Sequence, residues 1–337
     1  QAAARGAELV SYFRWRTCAF AQEMHWYGML DADGIPGRRY HELKATIAGL
    51  KGKSHLWEDR LPHTPVAMVL DYHAHWALEA DSMAADLDYL GQFRALYGLL
   101  RRRGQAVRVV QPGQELTGHA LVVVPMPLLA READVTRWQE FLGQGGLLLV
   151  TAPAGYRTEH NTWLMEPAPG PLAEVLGVRV AEHDMLRDGA ANRVVFDDAE
   201  FPAGGFCSIL ELGGAEAVAS YGGQYYAGRP AVTRRSEGQG RAYFLGASGT
   251  PELYQHLLDM LLEESGVGAH PWSSETIETV PLKTGQGEPA VAFVLNHSEQ
   301  PAQLPLPEKT TYRDLLTGQE HSGTMALDGY GVVLLEG

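Results

Sequence analysis

The sequence predicts an α/β protein in three parts: a single β-loop-α unit over residues 1–62, a flavodoxin-like α/β domain over 63–265, and a small antiparallel β-sandwich over 266–337. Three observations predict this. From "VAMVLDYH" to the helix beginning at Pro251, apolar strand-like runs alternate with helical apolar stripes, the pattern of a parallel sheet covered on both faces. Ahead of that stretch stand only one strand-like run and one helical stripe, too little to bury their own apolar faces. Behind it, short runs separated by Gly, Pro and Asn have the spacing of a β-sandwich.

The elements follow in order. Gln1–Gly6 resembles the last turn of a helix, with Gly6 to end it. That start suggests a piece of something larger. The run from Ala7 to Trp15 reads as a strand, and residues 16–39 as a long loop in which "DADGIPG" is turn chemistry. Tyr40, Leu43, Ile47 and Leu50 recur at helical spacing before Gly52. In the middle part, "VAMVLDYH", "AVRVV", "HALVVVP" and "GGLLLVTA" are strands. Stripes through Leu87, Leu90, Phe93 and Tyr97, and through Val135, Trp138, Phe141 and Leu142, are helices between them. "DYHAHWALEADSM" reads as a loop after the first strand. A strand-like, Gly-rich section covers 175–235, "GRAYFLGA" restores the sheet, and Leu257, Leu258, Leu261 and Leu262 mark the closing helix. In the last part, "ETVPLKT", "PAVAFVLNH", "AQLPLP", "TYRDLLTG" and "GYGVVLLE" are the candidate strands.

Composition narrows the function. A net charge of −14 argues against a nucleic-acid surface, which needs a positive face. Arg101, Arg102 and Arg103 sit at a helix end, where cations favour the helix dipole. No stretch of about 18 uninterrupted apolar residues exists, so no membrane-spanning helix is expected. Cys18 and Cys207 lie far apart, with no CxxC or CxxH pattern. Reduced thiols, a cytoplasmic location, and neither metal nor cofactor are the expectations.

The middle domain offers little chemistry of its own. Its first strand–helix junction lacks the G-x-G-x-x-G phosphate fingerprint. An amidotransferase-like enzyme on this sheet would need a Cys or Ser on a sharp turn after a strand. "LVTAPAG" has Thr151 and Ala152 there instead, and Cys207 precedes no clear helix. Tyr72, His73, His75 and Trp76 have ligand-type groups but read as packing at an interface between subunits. Glu159–His160 and Glu182–His183 read as solvated loop residues. The N-terminal unit is different. Arg14, Arg16, Glu23 and Trp26, with Trp15 and His25 beside them, lie at or beyond the end of the first strand. Guanidinium and carboxylate groups next to aromatic faces suit a sugar, whose C–H face packs on Trp while its hydroxyls take charge-assisted hydrogen bonds. For Arg14 and Arg16 a structural Arg–carboxylate pair is an equal reading.

"GAELVSYFRWRTCAFAQEMHWYGMLDADG" resembles the last strand and loop of the catalytic (β/α)8 barrel in glycoside hydrolase family 42, the β-galactosidases. "VAMVLDYHAHWALE", "GQGGLLLVTAPAG" with "NTWLMEPAPGPLAEVLGVRV", and "GQGRAYFLGA" resemble that family's trimerisation domain, whose sheet is of the class I amidotransferase type. "VAFVLNHSEQP" with "YRDLLTG" resembles its C-terminal β domain. The resemblance implies a barrel remnant over 1–62, a homotrimer made largely by 63–265, and a retaining β-galactosidase as parent. Such an enzyme hydrolyses terminal β-D-galactosyl residues of oligosaccharides. It also implies that Glu23 contributes to the galactose subsite. Three residues further on, some members carry a histidine and another branch a tryptophan, as Trp26 does here. The branch with tryptophan implies galactosylated plant polysaccharide fragments as substrates. Both catalytic glutamates of the family lie on earlier barrel strands, and no Asn-Glu pair for the acid/base occurs in this chain. The chain alone is therefore expected to be inactive, a part of the sugar site without the carboxylate pair. A non-catalytic trimer-forming module is the alternative.

Overall fold

Residues 7–15, expected as a strand, join no ladder in the computed structural model, which describes the whole chain except 85–86, 188–189, 191, 269, 286, 288–290 and 308–309. A strand needs a neighbour for its N–H and C=O groups. Within this stretch Leu9 is 82% exposed and Phe13 69%. The helical turn ahead of it is present, as a 3-10 turn over Ala3–Arg5 closed by Gly6 in the left-handed region. Helix α1 (Arg38–Leu50) follows the long loop, and the short strand β1 (Leu61–Pro62) ends the segment.

The middle of the chain begins with β2 (Val66–Val69), all four residues buried. The next segment is not the loop expected but helix α2 (Tyr72–Ala80). Asp71 caps it by accepting from the backbone N–H groups of His73 and Ala74, and Ala, Leu and Glu behind the cap are strong helix formers. Then come α3 (Tyr89–Arg102), β3 (Val107–Val110), β4 (Leu121–Val124), α4 (Glu132–Gly143), β5 (Leu147–Thr151) and the short α5 (Ala173–Leu176). A run of strands follows: β6 (Val178–Met185), β7 (Asn192–Val195), β8 (Glu200–Leu212), β9 (Glu216–Tyr221), β10 (Pro230–Glu237), β11 (Gly240–Leu245) and β12 (Ala247–Gly249). Helix α6 (Pro251–Glu264) closes this part.

One large sheet holds these strands. Its parallel half has the order β3-β2-β4-β5-β11. From β11 it continues antiparallel through β10, β9, β7, β8 and β12, with β6 beside β8. Alternate residues of the parallel strands feed two cores. Ala67, Val69, Val122, Val124, Leu148, Val150 and Phe244 meet α2, α4 and α5 on one face. Val66, Met68, Leu121, Val123, Leu147, Leu149 and Tyr243 meet α3 and α6 on the other. The arginine run stands at the end of α3, where Arg103 pairs with Asp259 of α6.

The C-terminal strands are β13 (Ile277–Lys283), β14 (Val291–Asn296), β15 (Ala302–Pro305), β16 (Tyr312–Asp314), β17 (Glu320–His321), β18 (Thr324–Leu327) and β19 (Val332–Glu336). They form an antiparallel sheet β1-β13-β14-β19-β16-β17 and a two-stranded sheet β15-β18. Trp272, Ile277, Val294, Leu304, Met325 and Leu335 are in the core of this part. The N-terminal segment belongs to it: β1 pairs with β13, Arg5 with Glu278, the Lys53 ammonium with the Leu316 carbonyl, and Trp57 packs on Phe293. Gln1–His63 with Pro271–Gly337 thus make one compact unit, and Thr64–His270 the other.

Candidate functional site

Residues 14–30 close on themselves through three backbone hydrogen bonds. Met29 and Leu30 N–H donate to the carbonyls of Arg14 and Trp15, and Thr17 N–H donates to that of Leu30. Thr17 is buried. Its hydroxyl donates to the Leu30 carbonyl and accepts from Gly28 N–H. A Cβ at Gly28 would stand 2.6 Å from the Arg16 carbonyl carbon, so only glycine lets the two segments approach this closely. The sequence reading singled out neither Thr17 nor Gly28.

The loop so held carries a 3-10 turn, Gln22–His25. Trp26 follows the turn with extended backbone, its N–H donating to the Glu23 carbonyl. Arg14 Nη1 donates to Glu23 Oε2 at 2.5 Å, and Nη2 donates to the Glu23 backbone carbonyl at 2.6 Å. Two donors of one guanidinium therefore fix both ends of one residue. The Arg14 side chain is 15% exposed and that of Glu23 54%. Phe13 meets Trp26 edge to face at 6.1 Å, and the Arg14 guanidinium lies over the Phe13 ring. Trp26 itself is 60% exposed. Trp15 packs edge-on against Tyr40 of α1 instead, and the Arg16 side chain lies beside Gly34. Arg14 and Glu23 are thus paired and linked through Phe13 to Trp26, while Trp15 and Arg16 have other neighbours.

The second candidate region is α2. Tyr72 and Trp76 lie one turn apart with ring centroids at 5.8 Å, and His73 is also 5.8 Å from Trp76. All three are exposed, on the side opposite the buried Ala74, Ala77 and Leu78. His75 turns away, towards Glu79 at 3.5 Å and the Tyr89 ring. Beneath them lies a charged group of which the sequence reading singled out neither Arg131 nor Asp134. Arg131 Nη1 donates to Asp71 Oδ2 at 2.6 Å and stands 3.6 Å from Asp134, with Nε 3.9 Å from Glu159. Asp71, Arg131 and Asp134 are all largely buried. Burial raises the Asp134 carboxyl to about 6, against the opposing pull of Arg131. A position just past a buried strand was the available signal for these residues, since β2, β3 and β4 all end here.

One smaller expectation is corrected. His183 is not a solvated loop residue. It lies on β6, stacked between Trp163 and Phe206, because β6 pairs along β8 and turns this side chain onto the aromatic layer. Glu159 and His160 do lie in an exposed turn. Thr151 offers no nucleophile to solvent, since its buried hydroxyl donates to Gln92 and accepts from Met126 N–H. Cys207 is buried within β8. Among the described residues no group of three or more His, Cys, Asp or Glu is arranged to hold a metal, and no helix is long and apolar enough to cross a membrane.

Comparison with known proteins agrees along the chain. Residues 1–52 match the family model described as beta-galactosidase, 64–268 the beta-galactosidase trimerisation domain, and 274–337 the beta-galactosidase C-terminal domain. Beta-galactosidase BgaB of Geobacillus sp. (strain Y412MC61) is 28% identical over 335 residues, covering 98% of this chain and 49% of that protein. Beta-galactosidase Bga of Halorubrum lacusprofundi is 35% identical over 281 residues, covering 79% of this chain and 39% of its own length. The crystal structure of beta-galactosidase from Bacillus circulans sp. alkalophilus superposes with a TM-score of 0.89 at 26% identity, over 99% of this chain and 50% of that one. The chain spans about half the length of the curated relatives it matches.

Proposed function

The chain belongs to glycoside hydrolase family 42, and from that premise we propose that it is the carboxyl-terminal half of a retaining β-galactosidase. Residues 1–62 act as the last β/α unit of the catalytic barrel, 63–265 as the trimer-forming domain and 266–337 as the C-terminal β domain. The parent cleaves terminal β-D-galactosyl residues from oligosaccharides in the cytoplasm. A retaining enzyme needs two carboxyls about 5–5.5 Å apart, and the family resemblance assigns this pair to earlier strands of the barrel. The order β3-β2-β4-β5-β11 supports a flavodoxin-like sheet in the middle domain. The exposed apolar side chains of 7–15 and α1 fit a barrel remnant whose neighbouring strands are elsewhere.

The Arg14–Glu23 clamp beside Trp26 carries the assignment of the sugar subsite. Arg14 takes one carboxylate oxygen of Glu23 and its backbone carbonyl, so the half-exposed carboxylate is held in one orientation while Oε1 is left to receive a hydroxyl. Trp26 offers an exposed ring for the C–H face. Arg14 Nε is buried without an acceptor among the described residues, as suits a site completed by other groups. In the parent enzyme, Glu23→Ala lowers kcat/KM by about 2–4 kcal/mol of transition-state stabilisation while the melting temperature holds. Hydrolysis of a chromogenic β-galactoside measures it. Kinetics within twofold of the parent would make Glu23 structural.

The outward face of α2, with Tyr72, His73 and Trp76, lies at or near a boundary between three copies. Exposed aromatic side chains of this kind bury large area with little entropy loss. Light scattering on the parent reads a trimer, and on Trp76→Ala a weakened one. A monomeric parent ends this part of the reading.

A further inference from the structure

The middle unit contains a cleft of about 730 Å³ at the carboxyl ends of β2, β3 and β4. From β2 the chain passes to β3 on one side of it, and then to β4 on the other. The cleft therefore opens where the strand order reverses, the place where parallel α/β sheets accept ligands. Its size lies within the range of small-molecule sites. It is lined by the largely buried Asp71, Arg131 and Asp134, by Tyr72, His73 and Trp76 of α2, by Glu159 and His160, and by the turn after β3, Gln111–Gly113.

We infer that this cleft binds a neutral, polyhydroxylated ligand of mono- to disaccharide size, with its C–H face on Trp76 and its hydroxyls on Glu159, Asp134 and Arg131. The surrounding charges disfavour an anion, a metal ion and a purely apolar ligand. An anion meets Asp71, Asp134 and Glu159 around the one guanidinium that would have to receive it. For a metal the carboxylates are wrongly spent, because Arg131 already occupies the place between them. A purely apolar ligand would cover Asp71, Arg131 and Asp134 without giving them hydrogen bonds in return. A polyol supplies both donors and acceptors. Arg131 uses Nη1 on Asp71, and its Nε is 3.9 Å from Glu159, too far for a hydrogen bond. A hydroxyl between the two would bridge them. The Asp134 carboxyl, raised towards neutrality by burial, accepts when ionised and donates when protonated. Trp76 is 56% exposed and tilted against Tyr72 and His73, and a sugar stacked on it would lie between this cleft and the boundary between copies. None of this depends on the galactosidase reading, which stands or falls on hydrolysis by the parent.

Isothermal titration calorimetry of the 337-residue chain tests it, with D-galactose and lactose as probes and inorganic phosphate as the anionic comparison. The expected result is saturable sugar binding in the millimolar range and none for phosphate. Glu159→Gln weakens the sugar about fivefold or more and Trp76→Ala about tenfold or more, each change equal to RT times the logarithm of the ratio. Light scattering runs beside each titration, and Glu159→Gln, off the α2 face, decides the matter where Trp76→Ala alters the oligomer. No saturable heat with either sugar overturns the inference. So does sugar binding that both variants leave within twofold, and so does phosphate binding tighter than either sugar.

Discussion

Helices α1 and α6 are 13 and 14 residues long, and both carry apolar side chains at helical spacing. They end in opposite states. α6 buries Leu253, Tyr254, Leu257, Leu258, Leu261 and Leu262, and α1 buries no residue at all. Strand β4 and the stretch 7–15 repeat the contrast. Leu121–Val124 is wholly buried between two helical layers, whereas Leu9, Val10 and Phe13 are exposed. An apolar pattern states what an element requires, and does not supply the surface that meets the requirement. In the middle unit the matching surfaces lie on the same chain. Around residues 1–50 the described residues do not provide them, and the segment is anchored through Arg5, Lys53, Trp57 and β1 instead.

The contrast is sharpened first by a deletion where packing is complete. Phe244 is 1% exposed in the core beneath α4 and α5. Phe244→Ala is expected to cost about 3–5 kcal/mol, because a cavity replaces an aromatic ring in a close-packed layer. Urea denaturation followed by circular dichroism measures it. A loss below about 1 kcal/mol would falsify the description of this layer as close-packed.

A second, smaller effect separates charge from packing in the same unit. The folded-state value of Asp134, about 6, lies above its ordinary 3.8, with burial as the main cause and Arg131 opposing it. The folded protein therefore holds this proton more tightly than the unfolded chain does. Stability from this group falls as pH rises from about 4 to about 6 and stays lower above that window. Asp134→Asn removes the dependence. The variant is expected to exceed the parent by about 1–3 kcal/mol at pH 8, and the two converge near pH 4. Denaturation curves at pH 4, 6 and 8 read the difference. A gap that stays constant across the three would mean that Asp134 does not titrate in this window.

The smallest effect is expected where the first unit is open. Ile47 on α1 is 53% exposed. Ile47→Ala is expected to change the stability of this chain by no more than about 0.5 kcal/mol, as for an ordinary surface position. The same measurement reports it. A cost near that of Phe244→Ala would show that α1 has a covering partner within the chain, and the contrast between the two helices would collapse.

Part of the middle unit was legible because β2, β4 and β5 are short, buried, largely apolar runs and α3, α4 and α6 carry stripes at 3.6-residue spacing. Both are local patterns with one buried solution. The α2 segment was misread because the cluster Tyr72, His73, His75, Trp76 drew attention to its chemistry. The capping signal of Asp71 ahead of Ala74, Ala77 and Leu78 outweighs that cluster. At the candidate site in the first unit, Arg14, Glu23 and Trp26 stood out by residue type, and the structure adds the Arg14–Glu23 pairing. Thr17 and Gly28 did not stand out, since a buried threonine and a close-approach glycine look like any others until the two segments meet.

By itself the sequence determined the alternation of strands with the helices α3 and α4 over 89–151, the closing helix α6, and the residue types available near Trp26. Each follows from local spacing or composition. Tertiary structure alone decided that residues 1–63 join the C-terminal strands in one unit, that Arg14 clamps Glu23, and that Asp71, Arg131, Asp134 and Glu159 converge below α2. The physical reason is that these contacts join residues whose separation along the chain carries no period. Arg5 and Glu278 are 273 positions apart, and Asp71 and Arg131 are 60. Only the ladder β1–β13 and the parallel order β3-β2-β4 bring such pairs within reach.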